Sequence, residues 1–218
     1  MITVKKYSAP PLSKSEIMRY AGASEENDEI NALLKECVQE CENALTYSVC
    51  YDIFDIRHTK NGVAFPFCET ASHDLSKALD SCDRAVIFAA TLGIGIDRLL
   101  VKNSKLSPAK ALMLQAIGTE RIESLCDTFL SELQAELKKD SLYLLPRVSP
   151  GYGDISILMQ EDIFCALSCT KNIGVSLSGS LLMTPSKSVT AIVGISKKEC
   201  SKVSNCADCA LLNCEFRR

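Results

Sequence analysis

The chain has 218 residues, of which 47% are hydrophobic and 23% charged, with a formal net charge of −3. That length fits one large domain, or one domain with a small appendage, and the apolar share is enough to bury a core, which excludes a disordered chain. The lack of a basic surplus argues against a nucleic-acid binder. With no apolar run of bilayer-spanning length and no signal-peptide core, a soluble cytoplasmic protein is expected.

Residues 9–15, APPLSKS, read as a rigid opening that ends in a candidate helix cap. A helix is predicted from about Glu26 to Leu45, where Ile30, Leu33, Leu34, Cys37, Val38, Cys41 and Leu45 recur at helical spacing. Tyr47 to Ile56 is rich in β-branched and aromatic residues and predicts a strand. Ser72 and Asp74 suit the cap of a short helix ending near Cys82, and Arg84 to Thr91 is a compact apolar run expected as a buried strand. The longest predicted element is a helix from Pro108 to about Lys139, on the order of 45 Å long at 1.5 Å per residue. Ser107 is the expected N-cap, and Pro108 suits the first helical position. Ile122, Leu125, Cys126, Phe129, Leu133 and Leu137 form its apolar stripe. Gly118 inside it costs about 1 kcal/mol relative to alanine, so a kink or a close contact is expected there.

Beyond this helix the pattern alternates quickly. Ser141 to Arg147 reads as a strand, Pro150 to Asp154 as a turn, and Ser156 to Ser168 as a helix. Val175 to Leu181 alternates like a half-exposed strand, and Val189 to Ile195 reads as a more buried one. The turn chemistry of the MTPSKS segment between them predicts a hairpin. Strands and helices mix without a βαβ rhythm, which predicts an α+β fold with a twisted antiparallel sheet and packed helices.

The segment Arg147-Val-Ser-Pro-Gly-Tyr-Gly-Asp154 carries the most chemistry. Pro150-Gly151 sets a sharp turn, and glycine lets backbone approach a ligand. Arg147 supplies a planar cation able to hold a carboxylate bidentately, while Tyr152 offers a ring face and a hydroxyl. The set suits a charged, flat small molecule; an ordinary strand-to-helix turn is the alternative. Glu120, Glu123 and Asp127 share one face of the long helix, roughly opposite its apolar stripe, as a solvated surface or as a site for a ligand cation. Leu92-Gly-Ile-Gly-Ile hints at a dinucleotide loop, but Arg98 stands where the third glycine belongs and no βαβ unit follows. His58 and His73 are isolated, so no hydrolytic triad is expected from them.

The chain contains 12 cysteines. Cys37, Cys41, Cys50, Cys68, Cys82, Cys126, Cys165 and Cys169 are dispersed and expected as small buried apolar groups. Cys200, Cys206, Cys209 and Cys214 crowd the end of the chain around a central C-x-x-C, which suits a zinc site or an iron–sulfur cluster. A reduced tail without metal is the alternative.

Arg147-x-x-Pro-Gly-Tyr152 resembles the signature of the activation domain of cobalamin-dependent methionine synthase. Further matching text follows: Gln160 with Ile163-Phe164, Gly174-Val-Ser-Leu-Ser, Met183-Thr-Pro-Ser-Lys-Ser-Val189 and Gly194. Upstream, Ala90-Thr-Leu-Gly93, Ile96-Asp97 and the helix through Glu123 are also similar. The resemblance covers roughly residues 45–196 and matches the small stand-alone relatives of that domain. It divides the chain into an N-terminal helical segment (1–45), an α+β core (46–196) and a Cys-rich tail (197–218).

The resemblance implies that Arg147, Ser149 through its backbone, Pro150, Gly151, Tyr152 and the helix-borne Glu123 bind S-adenosylmethionine. Where the full-length domain carries a histidine and acidic residues after Gly-Tyr, this chain has Gly153-Asp154. The implied activity is reductive methylation that reactivates a cobalamin. That cobalamin is held by a partner, a methionine synthase or related corrinoid protein, and a donor such as flavodoxin or ferredoxin supplies the electron. The protein is expected to act in trans, without a nucleophile of its own. A non-catalytic docking or metal-binding module for a corrinoid protein is the alternative.

Overall fold

A computed structural model of the chain describes residues 1–23 and 27–198. In chain order the elements are β1 (Thr3–Tyr7), α1 (Lys14–Tyr20), α2 (Asp28–Ala44), β2 (Tyr47–Asp55), β3 (Arg57–His58), β4 (Val63–Ala64), β5 (Glu69–Thr70), α3 (His73–Ala78) and β6 (Arg84–Thr91). They continue with α4 (Gly95–Leu106), α5 (Pro108–Leu137), β7 (Tyr143–Leu144), α6 (Met159–Leu167), α7 (Cys169–Ile173), β8 (Ser176–Leu177), β9 (Met183–Thr184) and β10 (Ser188–Ser196).

The central sheet has the order β1-β2-β6-β10-β7, and every neighbouring pair is antiparallel. Its middle strands are largely buried because both faces are covered. Successive side chains of a strand point to opposite sides. Val86, Phe88 and Ala90 of β6 accordingly pack with α1, α2, α4 and α5, whereas Ala85, Ile87 and Ala89 pack with α3, α6 and α7. The result is the α+β architecture expected from the sequence, with helices packed on a twisted antiparallel sheet. Its 30-residue helix α5 spans about 45 Å.

Local chemistry explains the helix boundaries. The Asn27 side chain caps α2 by accepting from the Ile30 N–H at 2.8 Å, Ser13 caps α1, and Ser72 caps α3. Pro108 opens α5 as expected, but Ser107 makes no side-chain cap. Ser107 both closes α4 and opens α5 through its backbone: its N–H donates to the Asn103 carbonyl and its carbonyl accepts from the Ala111 N–H, each at 2.9 Å. Gly118 sits at a close contact, because a Cβ there would lie 3.1 Å from Cγ1 of Ile96 and 3.0 Å from Cε of Lys187.

The hairpin predicted between Val175–Leu181 and Val189–Ile195 does not form. Ser176–Leu177 pairs with Met183–Thr184 in a small two-stranded sheet, while β10 pairs with β6 along nearly its whole length. The reason is burial: β10 is buried along nearly its whole length, with Val189, Ala191, Val193 and Ile195 making one face apolar, and belongs at the covered centre, whereas the serine-rich 176–180 stretch suits an exposed ribbon. The strand predicted over Ser141–Arg147 shrinks to Tyr143–Leu144, which faces only the last turn of β10. Of the dispersed cysteines, Cys165 is exposed and Cys68 half-buried; the other six are buried. Among the described residues, no helix is long and apolar enough to cross a membrane.

Candidate functional site

The motif segment first runs beside β10 and then leaves it. The Leu145 N–H donates to the Gly194 carbonyl at 2.9 Å, and Val148 and Ile192 exchange backbone hydrogen bonds at 3.0 and 2.8 Å. Two residues later Pro150 has no N–H to continue the ladder, so the pairing stops. Hydrogen-bonding direction alternates along a strand. The backbone of Thr190, two residues before Ile192, therefore points to this same edge, where no strand covers it.

Gly151 (φ +90°) and Gly153 (φ +56°) then fold the segment into a tight turn, closed by hydrogen bonds from the Gly151 N–H to the Ile155 carbonyl (2.9 Å) and from the Ile155 N–H to the Tyr152 carbonyl (3.0 Å). Both φ values lie in the left-handed region that favours glycine. At Gly153 a Cβ would also fall 2.0 Å from the Asp74 carboxylate. Asp154 fastens the turn to the start of α3. It accepts from the Ser72 hydroxyl and from the N–H groups of His73 (2.7 Å) and Asp74 (3.1 Å). The Ser72 hydrogen bond, helped by those two N–H groups, holds the Asp154 carboxyl below the ordinary aspartate range.

The divergence of this segment from β10 opens a cleft of about 630 Å³. Its wall includes Arg147, Ser149, Pro150, Tyr152 and Glu123, five of the six residues expected to bind S-adenosylmethionine. The sixth, Gly151, acts through the shape of the turn. Tyr152 stands at the lip, 74% exposed.

Within the cleft, Arg147 donates through Nη2 to Oε2 of Glu123, while its Nη1 is buried without a hydrogen-bond partner among the described residues. Burial disfavours the Arg147 cation, but Cys126, Glu123, Asp127 and the hydrogen bond to Glu123 outweigh it and raise its pKa above the ordinary arginine value. A permanent cation with a donor left over, beside a carboxylate, can take a zwitterion: carboxylate on the guanidinium, ammonium on Glu123.

Glu120, Glu123 and Asp127 of α5 border a second cavity of about 480 Å³ beside α1, but their surroundings differ. Asp127 is exposed, Glu123 is in the cleft, and Glu120 is buried at 3% exposure, correcting its expected place on a solvated face. Glu120 pairs with Arg121 at 2.5 Å and accepts from the Ser13 N–H at 2.9 Å. The glycine pair after β6 is not a phosphate loop: a Cβ on Gly95 would lie 1.9 Å from the Ala44 carbonyl, so that glycine lets α4 approach the end of α2. His58 bonds to the Cys82 carbonyl at 3.0 Å, remote in role from the cleft. Cys200, Cys206, Cys209 and Cys214 lie outside the described residues. Among the described residues, no cluster of three or more His, Cys, Asp or Glu is placed to hold a metal ion.

The cleft also contains groups to which the sequence assigns no ligand-binding role: Asp74, expected only near a helix cap, Thr190, and Gln160, noted only as part of the motif text. Gln160 is only 5% exposed, and its Oε1 has no partner among the described residues. A polar residue on the apolar face of a predicted helix is the signal that marks it.

Fold and cleft together define a three-layer α+β domain with a small-molecule-sized cleft at an open sheet edge, lined by the Arg147–Glu123 pair on one side and by Asp74 and the Gln160 amide on the other. No protein-family model and no curated protein matches the sequence. Among solved structures, the chain matches the crystal structure of the MetH reactivation domain bound to AdoHcy, with a TM-score of 0.65 and 14% identity over 93% of this chain and 80% of that one. The fold implied by the sequence resemblance is thus the fold found.

Proposed function

We propose that this protein binds S-adenosylmethionine in the Arg147–Tyr152 cleft and serves the reductive methylation of a corrinoid carried by a partner protein. The observation that carries the reading is the Arg147–Glu123 pair at the edge of β10, with one guanidinium nitrogen buried and unpartnered among the described residues. The structural match to a reactivation domain bound to AdoHcy supports the ligand class. Arg147 holds the methionine carboxylate, Glu123 the ammonium, and the backbone of Ser149 and Thr190 the ribose or base. Tyr152 packs over the ligand at the lip. The reaction these residues serve moves the sulfonium methyl to the reduced corrinoid, leaving S-adenosylhomocysteine. One electron comes from a donor of the flavodoxin or ferredoxin class. The chain's own residues bind and orient, so the rate gain comes from positioning. The Cys-rich tail is proposed to hold zinc or an iron–sulfur cluster, which metal and sulfide analysis after anaerobic purification tests.

The function is tested in two stages. Calorimetric titration with S-adenosylhomocysteine is expected to show one saturable site. Then purified protein, S-adenosylmethionine, a low-potential electron donor and an oxidised corrinoid methyltransferase are mixed, and methylcorrinoid formation is followed spectrally. Binding without methylation support would reduce the protein to a ligand-sensing docking module; no binding would remove the reading.

A further inference from the structure

We infer that Gln160 is the group that recognises the purine of the nucleoside in the cleft, an inference that rests on the S-adenosyl reading above. Gln160 is the second residue of α6 and only 5% exposed, yet it lines the cleft. Its Oε1 is buried and has no hydrogen-bond partner among the described residues. Buried polar atoms are nearly always paired, so an unpaired one on a side chain that lines a cleft marks a place where a ligand donor belongs, reached by a turn of the amide toward the cleft.

The two helix layers assign the ends of the ligand. Arg147 and Glu123 are joined on the α5 side of the sheet, and that ion pair fits the zwitterionic amino-acid end. Gln160 comes from α6, on the opposite side of the sheet, where its neighbours Ile155 and Met159 are buried apolar residues. Asp74 of α3 lines the cleft on that side too, but its carboxylate is held at the turn, accepting from the Asp154 N–H at 3.2 Å; the Gln160 amide is neutral and suits a flat, uncharged heterocycle. A carboxamide presents an acceptor and a donor side by side. Adenine presents the matching pair, an exocyclic amine next to a ring nitrogen, and glutamine meets both at once. An ammonium or a hydroxyl would satisfy only one half of the amide.

The probes are S-adenosylhomocysteine, its 6-deamino purine-riboside analogue and 5′-methylthioadenosine, titrated calorimetrically into the whole protein and into Gln160→Leu and Gln160→Glu. The wild type is expected to prefer the adenine ligand over the deamino analogue by at least about tenfold, because a site built around a donor rejects the analogue that lacks it. Gln160→Leu is expected to lose that preference, and Gln160→Glu, which keeps an acceptor, to retain part of it. Affinity for 5′-methylthioadenosine, which has no ammonium, should fall in the Leu variant as well. Equal binding of the two homocysteine ligands by the wild type overturns the inference, as does an unchanged preference in Gln160→Leu. A loss confined to S-adenosylhomocysteine would assign the amide to the ammonium and overturn it too. If the wild type binds none of the three, the S-adenosyl reading itself fails, a result distinct from binding without discrimination. Circular dichroism of both variants separates misfolding from lost recognition, and Gln160→Glu, nearly isosteric, carries the test should Gln160→Leu misfold.

Discussion

Two ion pairs, rooted one turn apart on α5, use the same side chains to opposite ends. The side chains of Arg121 and Glu120 are each 4% exposed, and every nitrogen of the guanidinium is engaged. It gives Nε and Nη2 to Glu120 at 2.5 and 2.6 Å, Nη1 to the Pro10 carbonyl at 2.6 Å and Nη2 to the Pro11 carbonyl at 2.7 Å. Arg147 and Glu123 are 26% and 29% exposed, share one hydrogen bond, and leave a guanidinium nitrogen unpartnered among the described residues. A pair whose guanidinium nitrogens are all engaged can only fix the chain. A pair with a donor left over, at the edge of a cleft, can exchange part of its bonding for a ligand's.

The largest expected effect is on the closed pair. Arg121→Ala leaves the Glu120 carboxylate buried without its cation and removes the guanidinium's bonds to the Pro10 and Pro11 carbonyls, so we expect a loss of about 3–5 kcal/mol in denaturant-measured stability. If stability were unchanged, the clasp on the N-terminal segment would not be what holds it.

Arg147→Ala is expected to act the other way round. Its stability cost should be the smaller of the two, since the pair is partly hydrated, while S-adenosylhomocysteine affinity falls by about 1.5–3 kcal/mol, the scale of a lost charged hydrogen bond. Calorimetry on the folded variant showing native affinity would make the open pair as purely structural as the closed one.

Gly153→Ala tests the turn that follows Arg147 and leads the chain away from β10. Its φ of +56° and the 2.0 Å approach of Asp74 make a methyl group unwelcome. A destabilisation of about 1–2 kcal/mol follows from left-handed backbone alone. Ligand affinity should drop with it, and a variant that gains stability would show that the turn relaxes freely.

The smallest expected effect is that of pH on Asp154. Its pKa in the folded protein lies below the ordinary 3.8, chiefly because of the Ser72 hydrogen bond. The contribution of Asp154 is therefore fully present above pH 3.8 and is lost as pH falls through the lowered value. Asp154→Asn should lack this acid step, so the stability difference between wild type and variant should narrow as the solution is acidified from pH 3.8 through the lowered value. A difference that stays constant would mean the carboxylate's charge is irrelevant to the fastening.

What the sequence made legible follows from where the information lies. β2, β6, β10, α2 and α5 carry their own periodicity or continuous apolar runs, so they stand out locally. The Arg147–Tyr152 turn stands out because proline and glycine dictate backbone shape by themselves. β1, TVKKY, is a polar edge strand; its position comes from backbone pairing with β2, which no local pattern encodes. α4 starts at a glycine and mixes charges into its face. Glu120 reads as a surface residue because Arg121 and the carbonyls of Pro10 and Pro11, which make its burial tolerable, come together only in the folded chain. Gln160 is legible as a motif residue, but its unpaired oxygen is a property of packing and cannot be read from spacing.

The departure of residues 150–153 from β10 has a consequence for how this protein keeps to itself. A strand with uncovered hydrogen-bonding groups invites another chain to continue the sheet, and long flat edges of that kind are routes to aggregation. Here the uncovered rungs at Ser188–Thr190 line a cleft shared with Glu123 of α5 and Gln160 of α6. Arg147 sets a charge beside them, and the proline that ends the ladder stands at the rim. A foreign strand finds the edge recessed, charged and only a few residues long, whereas a molecule the size of a nucleoside fits. Withdrawing the sheet's last rungs from other chains and offering them to a small molecule are one and the same piece of geometry.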